Sequence, residues 1–165
     1  MNVVSEWIFD CEPEHVWPHF LEATMDSEPP LMFRLGIPKP ISCRVLDGAV
    51  VGGTRQCTTD RGTSEQRILS IVVNRKLHYR MLNSSMLFSH WVQHLEDTFA
   101  LMPLSSGVTR VSRTTRFTAK GPMRSLKQLA IWLFLRTTHS YAARNWRRLS
   151  YETKNAERTV VPVTP

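Results

Sequence analysis

A chain of 165 residues, 42% hydrophobic and 21% charged, has the size and composition of one globular domain with a real core. Its longest apolar run, Leu129 to Leu135, is seven residues, against the roughly 20 a membrane-spanning helix needs, so the chain reads as soluble or peripheral. The net charge of +7 is uneven: through Thr109 there are 9 Lys/Arg against 12 Asp/Glu, and from Arg110 onward 12 Lys/Arg against Glu152 and Glu157 alone.

The N-terminus, Met1-Asn2-Val3-Val4-Ser5-Glu6, lacks a basic region followed by an apolar run, so no signal peptide is visible. Three widely spaced cysteines, Cys11, Cys43 and Cys57, with no Cys-x-x-Cys, suggest no disulfide framework. A reducing, cytoplasmic setting fits both readings. Val3 to Phe9 predicts a first strand. Glu12-Pro13-Glu14 opens a short helix, because proline and acids suit a first turn. Pro18 restricts that helix to a turn or two. Asp26 to Pro40 holds Pro29, Pro30, Pro38 and Pro40 around the apolar Leu31-Met32-Phe33-Arg34-Leu35. It predicts a short helix in a stiffened loop, either a lid or a connector whose apolar side plugs the core.

Six further strands follow, at Ser42–Leu46, Gly53–Thr59, Thr63–Val73, Lys76–Asn83, Ser89–Leu101 and Thr109–Ala119. The punctuation between them (Asp47-Gly48, Asp60-Arg61-Gly62, Asn74-Arg75, Pro103 to Gly107) marks an antiparallel meander. From Lys120 to Glu152 the chain reads as one long helix. Residues 155–165 read as a disordered tail, leaving one domain over residues 1–154. The predicted class is α+β: a curved seven-stranded antiparallel sheet around a long C-terminal helix, with two short helices after the first strand.

Local motifs in this order resemble a known family. Glu12-Pro13-Glu14-His15-Val16-Trp17 is similar to an "a-P-x-x-V-W" start of helix one. Gly52-Gly53-Thr54-Arg55 resembles a "V-G-x-x-R" strand entry. Gln66-Arg67-Ile68 with Leu77-His78-Tyr79 resembles an "E-x-V … L-x-Y" strand pair, with Gln66 where an acid is usual. Leu101-Met102-Pro103 through Val111 resembles an "L-x-P … G-G-T-R-V" hairpin. Together they resemble the START-like (SRPBCC) superfamily, and within it the polyketide cyclase/dehydrase and lipid-transport group. The resemblance implies a helix-grip fold with an apolar cavity between sheet and last helix. It implies no single activity, since members bind lipids, sterols, hormones or aromatic polyketides and some catalyse cyclisation.

The residues themselves nominate a site. If Pro103 and Gly107 close a three-residue loop, Asp97 faces Arg113 on the cavity side of the last hairpin. Buried charges should pair there, as a polar anchor for a ligand oxygen or as a structural ion pair. His139 borders the helix stripe Ile131, Leu135, Thr138, Ala142, Trp146 and Leu149. It is either a general acid or base or a hydrogen-bonded core residue. Tyr79, Trp91, Phe99, Phe117, Leu135 and Trp146 are expected to line the pocket, with Asp97, Arg113 and His139 orienting the ligand. His139, Arg113 and Asp97 are also the candidates for catalysis.

No metal or cofactor is expected. His90, His94 and Glu96 share one side of a strand, but the i, i+4 span is about 13 Å, too far for one ion at roughly 2 Å per ligand. No nucleophile elbow or phosphate loop is present. The first half of the last helix, with Leu126, Leu129, Ala130 and Leu133 flanked by Arg124, Lys127 and Arg136, is apolar nearly all round. That pattern fits an anionic membrane, a partner subunit, or cover by the loop holding Phe33. Nucleic acid is the weakest reading, as no stacking-aromatic or recognition-helix signature accompanies the basic residues. The leading function is a carrier or sensor for a hydrophobic small molecule (lipid, acyl or aromatic polyketide-like). The alternative is a polyketide cyclase/dehydratase-type enzyme acting on a carbonyl compound in the same cavity.

Overall fold

The computed structural model describes residues 1–159. Its elements are β1 (Asn2–Phe9), α1 (Pro13–Val16), α2 (Pro18–Leu21), β2 (Ala23–Thr24), α3 (Leu31–Arg34), β3 (Pro40–Val45), β4 (Thr54–Thr59), β5 (Gly62–Val72), β6 (Lys76–Ser84), β7 (Val92–Ser105), β8 (Val108–Ala119) and α4 (Arg124–Thr159). The strands form one antiparallel sheet in the order β1-β8-β7-β6-β5-β4-β3-β2. The sheet curls as a half-barrel around α4, the helix-grip arrangement expected from the sequence.

Local chemistry sets these elements. Pro13 and Pro18 each sit in the first turn of a four-residue helix, where a missing N–H costs nothing. Pro18 therefore divides the segment into α1 and α2 rather than kinking one helix. On β7 and β8, Leu95, Asp97, Phe99 and Leu101 alternate inward, as do Val111, Thr115 and Phe117. One face of α4 buries Ile131, Leu135, Thr138, Ala142 and Trp146 against them. Two apolar clusters result. The larger holds Phe9, Phe20, Phe99, Tyr141 and Trp146; the other holds Val3, Leu95, Phe117, Ile131 and Leu135.

The structure corrects five expectations. An eighth strand exists: β2 pairs Ala23 with Cys43 and Thr24 with Ser42, too short to give a sequence period. The last helix starts at Arg124 and runs to Thr159, so the first residues assigned to the tail are helical, and 160–165 lie outside the described residues. The final hairpin turns at Ser106-Gly107, with Ser105 opposite Val108 and Gly107 at φ 74°, which glycine adopts freely. This moves the register by two residues, so Asp97 faces Thr115 and Phe99 faces Arg113. An even shift leaves every side chain on its expected face.

The fourth correction concerns Trp91. Residues Leu87–Trp91 form a 3-10 turn rather than strand, and the ladder is irregular between Val92 and His94. Val92 is therefore the buried residue, while Trp91 is 43% exposed. The fifth concerns the cysteines. Cys43 and Cys57 lie opposite each other on β3 and β4, 4.1 Å apart at Cα, and are joined by a disulfide. Only strand register brings them together, and the pairing removes the argument for a reducing setting. Cys11 is free and buried; burial pushes its thiol up to about 11.

Candidate ligand-binding site

Five neighbouring strands each turn a polar group onto the concave side of the sheet: Arg55 from β4, Gln66 from β5, Tyr79 from β6, Asp97 from β7 and Arg113 from β8. Ladder pairing places them in a belt, since Arg55 faces Gln66 and Tyr79 faces Asp97. The belt lines an inner chamber of about 100 Å3 whose remaining wall is largely apolar, including Leu95, Phe99, Phe134, Leu135 and Trp146. The wall draws on both core clusters, so the chamber lies where they meet.

Asp97 anchors the belt. It accepts from Arg113 Nε at 3.1 Å and Arg113 Nη2 at 2.6 Å. It also accepts from the Tyr79 hydroxyl at 3.2 Å and from the Thr115 hydroxyl. Burial opposes ionisation of Asp97, but the Arg113 charge and these donors outweigh it and hold the carboxyl below its ordinary value. Burial works against Arg113 as well, yet Asp97 raises its pKa above the usual arginine range. Tyr79 is driven upward by burial first and by the Asp97 charge second, so it stays a neutral donor.

Arg55 is the second guanidinium and is 1% exposed. Its Nη1 donates to Gln66 Oε1 at 2.7 Å and approaches the Cys57 sulfur at 2.9 Å. Its Cζ lies 5.1 Å from the Tyr79 ring centre, within cation–π range. Burial lowers its pKa, but an arginine keeps its proton at any physiological pH.

Of the residues nominated from sequence, Tyr79, Asp97, Phe99, Arg113, Leu135 and Trp146 are brought together in the chamber wall. Three are not. Phe117 is buried in the second cluster, outside the wall. His139 is fully buried between α4 and the sheet: its Nδ1 meets Ser5 Oγ at 3.0 Å and its Nε2 meets Thr115 Oγ1 at 2.7 Å. Because Thr115 donates to Asp97, its oxygen accepts from His139, which assigns the proton to Nε2 and leaves Nδ1 to accept from Ser5. Burial first, and the nearby Arg113 charge second, push His139 down to about 3. It is neutral at neutral pH, held by Ser5 and Thr115 outside the chamber wall.

Trp91, the third, lines a larger outer groove of about 730 Å3 between α3, the 3-10 turn and the first half of α4. Leu35, Ile37, Leu133 and Phe134 are among its other walls. Pro38, Phe88 and Phe134 belong to both cavities. The Phe88 and Phe134 rings stand 5.1 Å apart, so an aromatic pair separates groove from chamber. The loop helix α3 plugs rather than covers: Phe33 is buried against Tyr141 at 5.1 Å. It leaves Leu126, Leu129 and Leu133 exposed by 61, 51 and 46%.

Sequence reasoning missed Arg55 and Gln66 as site residues. The period-2 pattern on β5, in which Ser64, Gln66 and Ile68 are all buried, is the signal that would have placed Gln66 inside. Arg55 follows once Gln66 is fixed opposite it. Of the remaining histidines, His90 lines the outer groove; His15 contacts Glu157 and His19 contacts Thr153, while His78 and His94 approach Glu96, 15% exposed, whose pKa hydrogen bonding from Arg80 lowers against the effect of burial. No helix among the described residues is long and apolar enough to cross a membrane.

No protein-family model and no curated protein matches the chain. Solved structures do match in shape. Protein MLL2253 from Mesorhizobium loti superposes with a TM-score of 0.65 at 17% identity, covering 93% of this chain and 98% of that one. A START superfamily protein from Mycobacterium smegmatis gives 0.65 at 11% identity, covering 92% and 97%. Norcoclaurine synthase from Thalictrum flavum, in complex with dopamine and hydroxybenzaldehyde, gives 0.62 at 11% identity, covering 92% and 87%. The half-barrel around α4 and these superpositions establish that the chain has the START-like helix-grip fold.

Proposed function

We propose that the protein binds a hydrophobic small molecule (a lipid, acyl or aromatic polyketide-like compound) between the sheet and α4, as a carrier or sensor. The observation that carries this reading is the two-part cavity: an apolar outer groove that abuts, across Phe88 and Phe134, a chamber ending in buried ionic groups. Its combined size falls in the range of small-molecule sites, and a few polar groups in an apolar wall suit orientation of a mainly apolar ligand.

The protonation states favour carriage over the cyclase/dehydratase alternative. A general acid or base works best with a pKa near the working pH. His139 is held near 3 and lies outside the chamber wall, Asp97 is held below its usual range, and Tyr79 is pushed above its own. None of the three is poised to move a proton at neutral pH.

A second element concerns where ligand is exchanged. Leu126, Leu129 and Leu133 lie at helical spacing on the exposed start of α4, with Arg124 and Arg136 exposed beside them and Lys127 half-buried. Leu133 also borders the outer groove. Apolar side chains ringed by cations complement an anionic membrane surface, and we assign this patch to peripheral contact with one.

Native mass spectrometry of the protein purified from cells, followed by solvent extraction, tests the main reading. A bound hydrophobic compound, or saturable binding of added long-chain or aromatic compounds by calorimetry, is the expected result. Failure of every such compound to bind would overturn it, and turnover of a carbonyl polyketide analogue would favour the enzyme.

A further inference from the structure

The charges of the inner chamber do not cancel. Arg113 is neutralised by Asp97 through two hydrogen bonds. Arg55 has no such partner: among the described residues no carboxylate lies within ion-pair distance of it, and its strongest contact is the neutral Gln66 amide. Two guanidiniums and one carboxylate leave one positive charge in surplus inside an apolar wall. An uncompensated buried charge is costly. A protein that keeps one beside a cavity has built a complement to the opposite charge.

The orphaned polar atoms point the same way. Arg55 Nε and Trp146 Nε1 are buried without a hydrogen-bond partner. Both belong to residues of the chamber wall, and both are N–H groups that can only donate. A ligand filling the chamber would satisfy them with acceptor atoms. The chamber's size limits what those atoms belong to. About 100 Å3 is less than the roughly 150 Å3 cavity that holds a benzene ring, so it suits a small head group. The apolar body belongs in the outer groove of about 730 Å3.

We infer that the chamber is an anion site, in which Arg55 receives the carboxylate of an amphipathic acid whose apolar body lies across the Phe88–Phe134 pair in the outer groove. This rests on the proposed hydrophobic binding and narrows its ligand class to monoanionic acids. Gln66 sets the charge preference by being neutral: a carboxylate in its place would satisfy Arg55 internally. Arg113 is held by Asp97 and helps shape the chamber.

Calorimetric titration with matched probes tests the inference. Dodecanoate is compared with dodecan-1-ol, and 2-naphthylacetate with 2-(2-naphthyl)ethanol, against the full chain and its Gln66→Glu and Arg55→Gln variants. Charge-assisted hydrogen bonds are roughly twice as strong as neutral ones, so the acid of at least one pair is expected to bind about tenfold or more tighter than its alcohol. Gln66→Glu differs by one atom and supplies Arg55 with a counter-ion, so it should fold even if Arg55→Gln does not. It is expected to abolish the acid preference, read as the ratio of acid to alcohol affinity within each pair, since hydrogen bonds to a neutral head are the weaker kind. Equal binding of acid and alcohol by the native protein overturns the anion site and leaves hydrophobic carriage standing. A preference for acids that survives Gln66→Glu removes the role of Arg55. Binding of neither pair overturns the anion site, while hydrophobic binding is judged separately by the compound that co-purifies from cells.

Discussion

Asp97 and Arg113 are joined by hydrogen bonds of 2.6 and 3.1 Å although neither faces the other across the ladder. Asp97 stands opposite Thr115 and Arg113 opposite Phe99, so the guanidinium reaches diagonally, passing 5.2 Å from the Phe99 ring centre. The diagonal lets Asp97 collect Tyr79 on one side and Thr115 on the other. One carboxylate thereby ties three strands together at the floor of the chamber.

Removing that carboxylate should be severe. Asp97→Ala leaves Arg113 as well as Arg55 without a counter-charge and orphans the Tyr79 and Thr115 hydroxyls. Breaking a buried pair from one side typically costs about 3–5 kcal/mol. Urea unfolding is expected to register a loss of that size. A loss below about 1 kcal/mol, the scale of an exposed ion pair, would mean that the Asp97–Arg113 pair is solvated rather than buried.

Acid sensitivity should begin at His139. Its folded pKa is near 3 against 6.5 for the unfolded chain, so the unfolded state binds a proton that the folded state refuses. The stability from keeping His139 neutral is complete above pH 6.5 and is lost as pH falls toward 3, at up to about 1.4 kcal/mol per pH unit. Burial lowers His19 as well, with the same sign. The depressed carboxylates, Asp97 and Glu96, contribute stability that is present above their unfolded values of 3.8 and 4.5 and lost only below them. Stability between pH 4.5 and 6.5 therefore reports the histidines. His139→Gln should flatten that limb by about one proton; an unchanged slope would place the imidazole in contact with water.

How far the sequence carried depended on whether position within one strand was enough. The inward set Leu95, Asp97, Phe99 and Leu101 was legible because period-2 alternation survives an even slip of register. Trp91 was misplaced because one irregularity near Val92 flips every residue before it. The Cys43–Cys57 bond and the Arg55–Gln66 contact were invisible because each depends on which residue of the next strand stands opposite. His139 was legible as a buried helix residue, but its partner Ser5 lies 134 positions away on β1, and no local pattern names it. The polar belt is thus a product of four registers among five strands at once.

The Phe88–Phe134 pair should control ligand exchange more than affinity. Both rings are half-buried and border both cavities. Phe88→Ala opens the passage without touching the belt, and its cost in stability should fall below the roughly 3–5 kcal/mol of a fully buried phenylalanine. Stopped-flow displacement of a bound fluorescent hydrophobe is expected to show association and dissociation both faster by about tenfold, as for removal of a gating element, with the dissociation constant changed much less. A change confined to dissociation would mark Phe88 as a contact rather than a gate.

The exposed start of α4 makes the last prediction. Leu126 and Leu129 are 61 and 51% exposed, so charging them should alter stability by no more than about 0.5 kcal/mol. Their role at a lipid surface, however, would be lost. Co-sedimentation with phosphatidylglycerol vesicles should be strong for the native chain, weaker with phosphatidylcholine, and reduced by salt, because the flanking Arg124, Lys127 and Arg136 supply the electrostatic part. The double variant Leu126→Glu, Leu129→Glu adds like charge to that surface and removes the apolar anchor, so binding to both vesicle types should disappear. If the double variant still sediments with anionic vesicles, the patch is not the contact. If the native chain ignores vesicles but elutes as a dimer that the variant splits, the face belongs to a second copy of the chain, and exchange at a membrane falls.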